Sequence, residues 1–254
     1  MLDHEIVMAL ESIPEELPTI VGENPTAARE LIAQMTMMGN NAMPPTDIMI
    51  ETRTIPSPDG DLKVVIYQPK NPAPRPALLW MHGGGHIVGI AEDHAYCVPF
   101  AEVAGCTIVS VDYPLAPEFT YMASVRAAFV ALKWMVEQAD DLGIDTERLA
   151  IGGASAGGGL AAGLALYNRD NNGPELALQY LLYTMLDDTH DTPSGQTFTR
   201  NKTWYRDVSL KAWQMYLGDE YGTDNVSPYA APTRATNLAG LPRTFITVGV
   251  ADLF

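Results

Sequence analysis

Two glycine-rich segments contain the residues whose types and spacing best fit covalent catalysis. Residues 151–159 read IGGASAGGG, and Gly153–Gly157 form the G-x-S-x-G pattern of a nucleophile elbow around Ser155. In an elbow the serine occupies a tight strand-to-helix turn, and the two glycines leave room for neighbouring chain and for substrate. The pattern alone arises by chance in about one chain in ten of this length, and Ser155 is then an ordinary helix cap. The apolar segment before it and the small-residue segment after it favour the elbow.

The second segment, His82–Gly85, reads HGGG and also follows an apolar run. Consecutive glycines expose backbone N–H groups, which a developing oxyanion requires. The simpler interpretation is a flexible loop anchored by His82, and we assign His82 itself that structural role. An HGGG loop placed before a later elbow is the paired signature of a hydrolase. We therefore expect an oxyanion hole formed by the amides of Gly83, Gly84, Gly85 and Ala156.

A carboxylate and a base should accompany the serine, since a serine hydroxyl is a poor nucleophile without a base. Asp252 follows the apolar segment 244–250, where an acid at a strand end is expected. The five histidines are His4, His82, His86, His94 and His190, and none follows Asp252. His190 is the nearest substitute, but a base needs hydrogen-bond reach to Ser155, so we favour a missing base over a novel one.

Strands and helices that alternate along the chain must position these residues. Helical periodicity covers the first forty residues, with a stop at Gly39. A Pro-Asp-Gly turn within 51–70 predicts an antiparallel hairpin. Apolar strands then alternate with helices, which predicts an α/β fold with a mostly parallel sheet covered on both faces. The predicted strands are PALLWM, CTIVSVDY, RLAIGGA, LALQYLLYTML and 244–250, and the predicted helices are 93–104, 122–139, 156–170 and 207–217.

Composition limits the partners. The net charge of −16 opposes binding to nucleic acid or to anionic membranes. No segment approaches about 18 uninterrupted apolar residues, and the N-terminus lacks a secretory pattern, so we expect a cytoplasmic protein. Cys97 and Cys106 are expected to be buried thiols. We expect no cofactor and no metal, because the glycine-rich segments lack a P-loop lysine and no His/Cys cluster has ligand spacing.

Three further segments complete a resemblance to a known family. VDYPLAPEFTY is similar to a D-Y-R-L-A-P-E segment, LLYTMLDDTH to a Y-P-M-L-D-D strand end, and 227–254 to the run into a triad acid. From about residue 50 onward the chain resembles the hormone-sensitive-lipase-like, HGGG-type carboxylesterases of the α/β-hydrolase superfamily. Pro114, Thr184 and Ala154 depart from the residues usual there, and Pro114 affects how Glu118 is anchored.

The resemblance implies a serine carboxylesterase that hydrolyses short- to medium-chain acyl esters through an acyl-enzyme on Ser155, with Asp252 as triad acid. It implies cap segments 1–45 and 187–224 over a core of 46–186 and 225–254, and a substrate pocket that includes His86, Tyr183 and Trp204.

In that family the histidine lies about 30 residues beyond the acid, after one more strand. We therefore expect impaired activity from this chain and an exposed apolar sheet edge that favours strand pairing or a homodimer. Three explanations remain: a piece of a longer enzyme, a shortened gene product, or a segment supplied by another chain. The alternative function is a non-catalytic, receptor-like ligand-binding member of the same fold, since the plant gibberellin receptor of this family also lacks the histidine.

Overall fold

A seven-stranded sheet forms the centre of the molecule, in the order β1-β2-β4-β3-β5-β6-β7. The computed structural model describes residues 4–11, 13–197, 203–250 and 252–254. The strands are β1 (Met49–Ile55), β2 (Leu62–Gln68), β3 (Arg75–Met81), β4 (Thr107–Val111), β5 (Ile144–Ala154), β6 (Leu178–Leu182) and β7 (Arg243–Thr247).

The sheet is mostly parallel, as predicted. β1 and β2 form the antiparallel hairpin, and β2 pairs antiparallel with β4. From β4 through β3, β5 and β6 to β7, every pairing is parallel. Parallel neighbours place their carboxyl ends on the same edge of the sheet, so the segments after β3, β5 and β7 emerge together there.

Helices cover both faces. They are α1 (His4–Glu11), α2 (Leu17–Glu23), α3 (Pro25–Ala42), α4 (His94–Ala104), α5 (Tyr121–Glu137), α6 (Ala139–Leu142), α7 (Ala156–Asp170), α8 (Pro193–Thr197) and α9 (Arg206–Leu217), with 3-10 turns at Gly218–Glu220 and Pro232–Arg234. Alternate residues of the central strands face opposite sides: Leu79 packs with α5 and α7, whereas Leu78 and Trp80 pack with α4. Among the helices that the structure describes, none is both long enough and apolar enough to cross a bilayer.

The N-terminal helices pack over the carboxyl edge of the sheet. α2 contacts both α3 and α9. Val21 and Ala28 of these helices share an apolar cluster with Val88, Trp213 and Ala156. Residues from both ends of the chain therefore meet above the predicted elbow.

Two predicted boundaries were wrong. α3 continues through Gly39 to Ala42, because a glycine in an exposed helix lowers stability without ending the helix. The side chain of Asn40 also fixes the last turn by donating to the Glu92 carbonyl at 2.8 Å. β7 ends at Thr247 rather than at Val250, and its residues are exposed, since it borders β6 on one side only.

Candidate active site

Ser155 occupies the turn between β5 and α7 with φ 54° and ψ −120°. A positive φ is rare for a residue with a side chain, and such strain persists only where the surroundings enforce it. Here the Ser155 amide donates to the Leu182 carbonyl at 2.9 Å, and its carbonyl accepts from the amides of Gly159 and Met185. These bonds hold the backbone of the turn between β6 and the first turn of α7.

The two glycines of the elbow allow this close approach. A Cβ on Gly153 would overlap the backbone of Gly157, and a Cβ on Gly157 would overlap the carbonyls of Met81 and His82. In both cases the distance from the Cβ to the backbone atoms would be below 3.0 Å, which real Cβ atoms essentially never show. The start of α7 is thus pressed against the end of β3, beside the HGGG loop.

The HGGG loop bends sharply at Gly84 and Gly85, which have φ of 117° and 62°. The Gly84 carbonyl accepts from the amides of Ile87 and Val88 at 3.1 and 3.0 Å. The ring of Trp204 lies where a Cβ on Gly85 would be. Glycine is therefore required at both positions by backbone angle and by space, because a Cβ on Gly84 would overlap the Val88 carbonyl.

His82 anchors this loop from below. Its Nδ1 lies 2.8 Å from the Gly83 carbonyl, and its ring stacks on Tyr113 at 4.3 Å between centroids. Tyr113 in turn donates to the His82 carbonyl at 2.7 Å. Burial lowers the pKa of His82, so the neutral ring is favoured. The contacts of His82 are those expected of a residue with a structural role.

A cavity of about 340 Å³ opens at Ser155. Gly83 and Gly84 of the loop form part of its wall, and the predicted pocket residues Tyr183 and Trp204 also line it. The N-terminal helices close the cavity with Leu17, Val21, Ile32 and Thr36.

Two of the predicted oxyanion residues lie behind the surface of the cavity. Gly85 lies against Trp204, and Ala156 is completely buried.

His86 is not where the resemblance implied. Its side chain does not line the cavity but is completely buried, with its ring parallel to that of Tyr216 at 3.7 Å. A φ of 64° turns the residue away from the loop surface and into the cluster beneath the N-terminal helices. Burial lowers the pKa of His86 to about 3, so the ring is neutral. The expectation of a pocket-wall residue is corrected to a core residue.

Asp252 lies past the end of β7, in a short turn. Its amide donates to the Gly249 carbonyl at 3.2 Å, and its Oδ1 accepts from the amide of Phe254 at 2.9 Å. His190 is nearby in a separate cavity of about 250 Å³ that also contains Phe254, with 6.3 Å between the two ring centroids. Burial lowers the pKa of His190. Within the described ranges, no histidine hydrogen-bonds to Ser155 or to Asp252.

Arg29 holds segments beside the site in place, and sequence reasoning missed it. From α3 it donates to the carbonyls of Ile87 and Ala116 at 2.8 and 2.6 Å, and to Glu118 Oε2 at 2.6 Å. The hydrogen bond from Arg29 lowers the pKa of Glu118. Glu118 is thus anchored from the N-terminal helices, although Pro114 replaces the usual arginine. Arg29 is the first Lys or Arg of the chain and the next is Arg53, and this isolation was an available signal.

Asp93 is the second residue that sequence reasoning missed. It precedes α4 and lines the same cavity as Ser155. Its Oδ2 accepts a hydrogen bond from Trp80 Nε1 at 2.8 Å. The sequence offered only a weak signal, an acid just before a helix.

The chain is similar to known proteins over most of its length. A family profile described as alpha/beta hydrolase fold matches residues 78–254. "Esterase LipI" of Mycobacterium tuberculosis is 34% identical over 211 residues, which are 81% of this chain and 65% of that protein. The chain thus spans a little under two thirds of this curated relative.

Solved structures show the same likeness. "Bacterial Heroin Esterase" superposes with a TM-score of 0.88 at 36% identity, covering 96% of this chain and 78% of that one. An esterase of Pyrobaculum calidifontis gives a TM-score of 0.85 at 30% identity, covering 97% and 79%. The chain belongs to the α/β-hydrolase family, within its hormone-sensitive-lipase-like, HGGG-type branch of carboxylic ester hydrolases.

Proposed function

We propose that this chain carries the acyl-transfer site of a serine carboxylesterase that acts on short- to medium-chain esters. The observation that carries the proposal is Ser155, held at a positive φ beside the HGGG loop and facing a cavity. A cavity of about 340 Å³ suits a small ester. Membership of a family of ester hydrolases supports the reaction class.

In the proposed reaction, Ser155 Oγ attacks the ester carbonyl carbon and loses its proton to a base. The amides of Ala156 and of Gly83–Gly85 would stabilise the charge that develops on the carbonyl oxygen, aided by the N-terminus of α7. The tetrahedral intermediate collapses, and the alcohol leaves with a proton. Water then attacks the acyl-enzyme, releases the acid and restores the Ser155 hydroxyl.

The proposal assigns Asp252 the role of orienting a histidine base. The 254 residues contain no histidine after His190, which occupies another cavity. We therefore expect slow turnover by this chain alone. Removal of a triad member from a serine hydrolase still leaves about 10³–10⁴-fold catalysis over water, from the oxyanion hole and binding.

We also assign 1–45 and 187–224 to a cap, for which the packing of α2 against α9 gives support. The residues of the first segment that reach the cavity are apolar apart from Thr36. Their side chains would set which acyl and alcohol groups fit. Residues 198–202 of the second segment lie outside the described residues.

The test is hydrolysis of p-nitrophenyl butyrate by the 254-residue protein and by Ser155→Ala, with and without free imidazole. Slow, Ser155-dependent hydrolysis that imidazole accelerates would support an intact nucleophile lacking its base. Imidazole also hydrolyses the ester in solution, and the Ser155→Ala protein measures that background. Hydrolysis that is equal in both proteins under all conditions would reject the proposal. Fast Ser155-dependent hydrolysis without imidazole would reject the expectation that this chain lacks a base for Ser155.

Ligand binding without catalysis is the alternative, favoured by the lack of a hydrogen-bonded base at Ser155 among the described residues. It predicts tight binding of a small apolar molecule and no Ser155-dependent hydrolysis even with imidazole.

For assembly, we propose pairing between copies along the free edge of β7, where Phe245 and Ile246 are exposed.

A further inference from the structure

The cavity at Ser155 contains an ionisable side chain that the proposed acyl-transfer steps do not use. Asp93 reaches it from the start of α4. Trp80 Nε1 donates to Oδ2, which fixes the orientation of the carboxylate. Over the residues that the structure describes, Oδ1 has no hydrogen-bond partner and Asp93 forms no ion pair. One carboxylate oxygen is thus held in place and left available.

Among the residues that the structure describes, no Lys or Arg shares the cavity with Asp93. His82 is the one histidine among the described lining residues, and burial favours its neutral form. The nearby cation Lys63 is engaged by Glu92 and Asp112 at 3.0 and 3.1 Å. Burial raises the pKa of Asp93, whereas the hydrogen bond from Trp80 and the charges of His82 and His94 act in the opposite direction.

Aromatic rings accompany the carboxylate. Tyr96 and Tyr183 both line the cavity and are joined by a hydrogen bond between their hydroxyls. Trp204 forms another part of the wall, and the ring of Trp80 stacks on Tyr96 with 5.6 Å between centroids. Aromatic faces attract ammonium groups, most strongly where water is excluded. The described lining is otherwise largely apolar, and Asp93 is its one carboxylate.

We infer that this cavity recognises esters that carry an ammonium group, with Asp93 as the residue that selects the charge. The inference rests on the proposed function, because it specifies the substrate class of the same site. The cation would pair with Asp93 while its alkyl groups contact Tyr96, Tyr183 or Trp204. The net charge of −16 would also favour the approach of a cation.

The test measures binding and needs no turnover. The probes are meta- and para-(trimethylammonio)phenylboronic acid and the tert-butyl analogues of the same shape, titrated by isothermal calorimetry. A boronic acid bonds reversibly to the serine Oγ, whose proton passes to solvent. Comparing both isomers avoids assuming a distance between Ser155 and Asp93. The first variant is Asp93→Asn, whose amide oxygen can still accept from Trp80. The matched control is Glu92→Gln, the same change of charge at the adjacent residue, which does not line the cavity.

We expect the natural chain to bind one cationic isomer at least about tenfold more tightly than its neutral analogue. Asp93→Asn should bring the ratio near one by weakening the cationic probe alone, whereas Glu92→Gln should preserve it. Equal affinity in the natural chain, an unchanged ratio in Asp93→Asn, or no binding of either probe would overturn the inference. A charge preference that persists without any Ser155-dependent hydrolysis would reject the proposed function and leave this inference standing.

Discussion

At the scale of single residues, Gly157 allows the elbow to pack directly against the start of the HGGG loop. Its Cα hydrogen faces the carbonyls of Met81 and His82, both backbone atoms that cannot rotate away. The loop and the first turn of α7 therefore fix each other. Gly39 is the opposite case, because a Cβ there has nothing within 4 Å.

We predict that Gly157→Ala lowers the free energy of unfolding by about 1–3 kcal/mol through overpacking. It should also slow any Ser155-dependent acylation, since the loop must move away from the elbow. The control Gly39→Ala should raise stability by up to about 1 kcal/mol, because alanine is the better helix former. Urea unfolding measures both. A Gly157→Ala protein as stable as the natural chain would contradict the close approach.

At the scale of elements, Arg29 joins α3 to the two segments that follow β3 and β4. Its guanidinium satisfies the carbonyls of Ile87 and Ala116 and pairs with Glu118, whose side chain is 46% exposed. Exposed ion pairs contribute little, whereas buried carbonyls without donors are costly. The two carbonyl bonds should therefore outweigh the ion pair.

We predict that Arg29→Met lowers the free energy of unfolding by about 1–3 kcal/mol and exposes the N-terminal helices to a glutamate-specific protease, which can cleave after Glu11, Glu23 and Glu30. Glu118→Gln should cost no more than about 1 kcal/mol. Because Arg29 lowers the pKa of Glu118, the ion pair contributes fully above the ordinary glutamate pKa and is lost as pH falls through the lowered value. Equal costs for the two variants would show that the ion pair, not the carbonyl bonds, holds the helix.

At the scale of the whole molecule, the two edges of the sheet differ. β1 is the outer arm of a hairpin, and three of its seven side chains are partly or fully buried. β7 ends the other edge with all five residues exposed, including Phe245 at 52% and Ile246 at 54%. A free apolar edge strand is a template for pairing with another chain.

We predict that the protein self-associates as its concentration rises, as measured by sedimentation velocity. Ile246→Lys should shift the distribution toward the monomer, because a charge on the edge opposes strand pairing. Met38→Lys, at an exposed position of α3, should leave the distribution unchanged. A monomer at every concentration would remove the case for pairing through β7.

The local pattern of the sequence determined the fold class and the position of Ser155. The motif spacing is local, so Gly153, Gly157 and the HGGG run could be recognised from sequence, although the close approach of Gly157 to Met81 is seen only in the structure. The strand and helix order likewise follows from hydrophobic periodicity. The end of α3 could not be predicted, because Asn40 is held by Glu92, which lies far along the chain.

Only the tertiary structure decided which side chains share the cavity. The same loop sends Gly84 to the cavity wall and His86 into the core, where the His86 ring packs against Trp213 and Tyr216 of α9. The sequence signals for Asp93 and Arg29 are weak, because the partners that define their roles are brought to them only by folding. Backbone sterics are local and readable from sequence, whereas burial, charge compensation and cavity walls depend on contacts between distant segments.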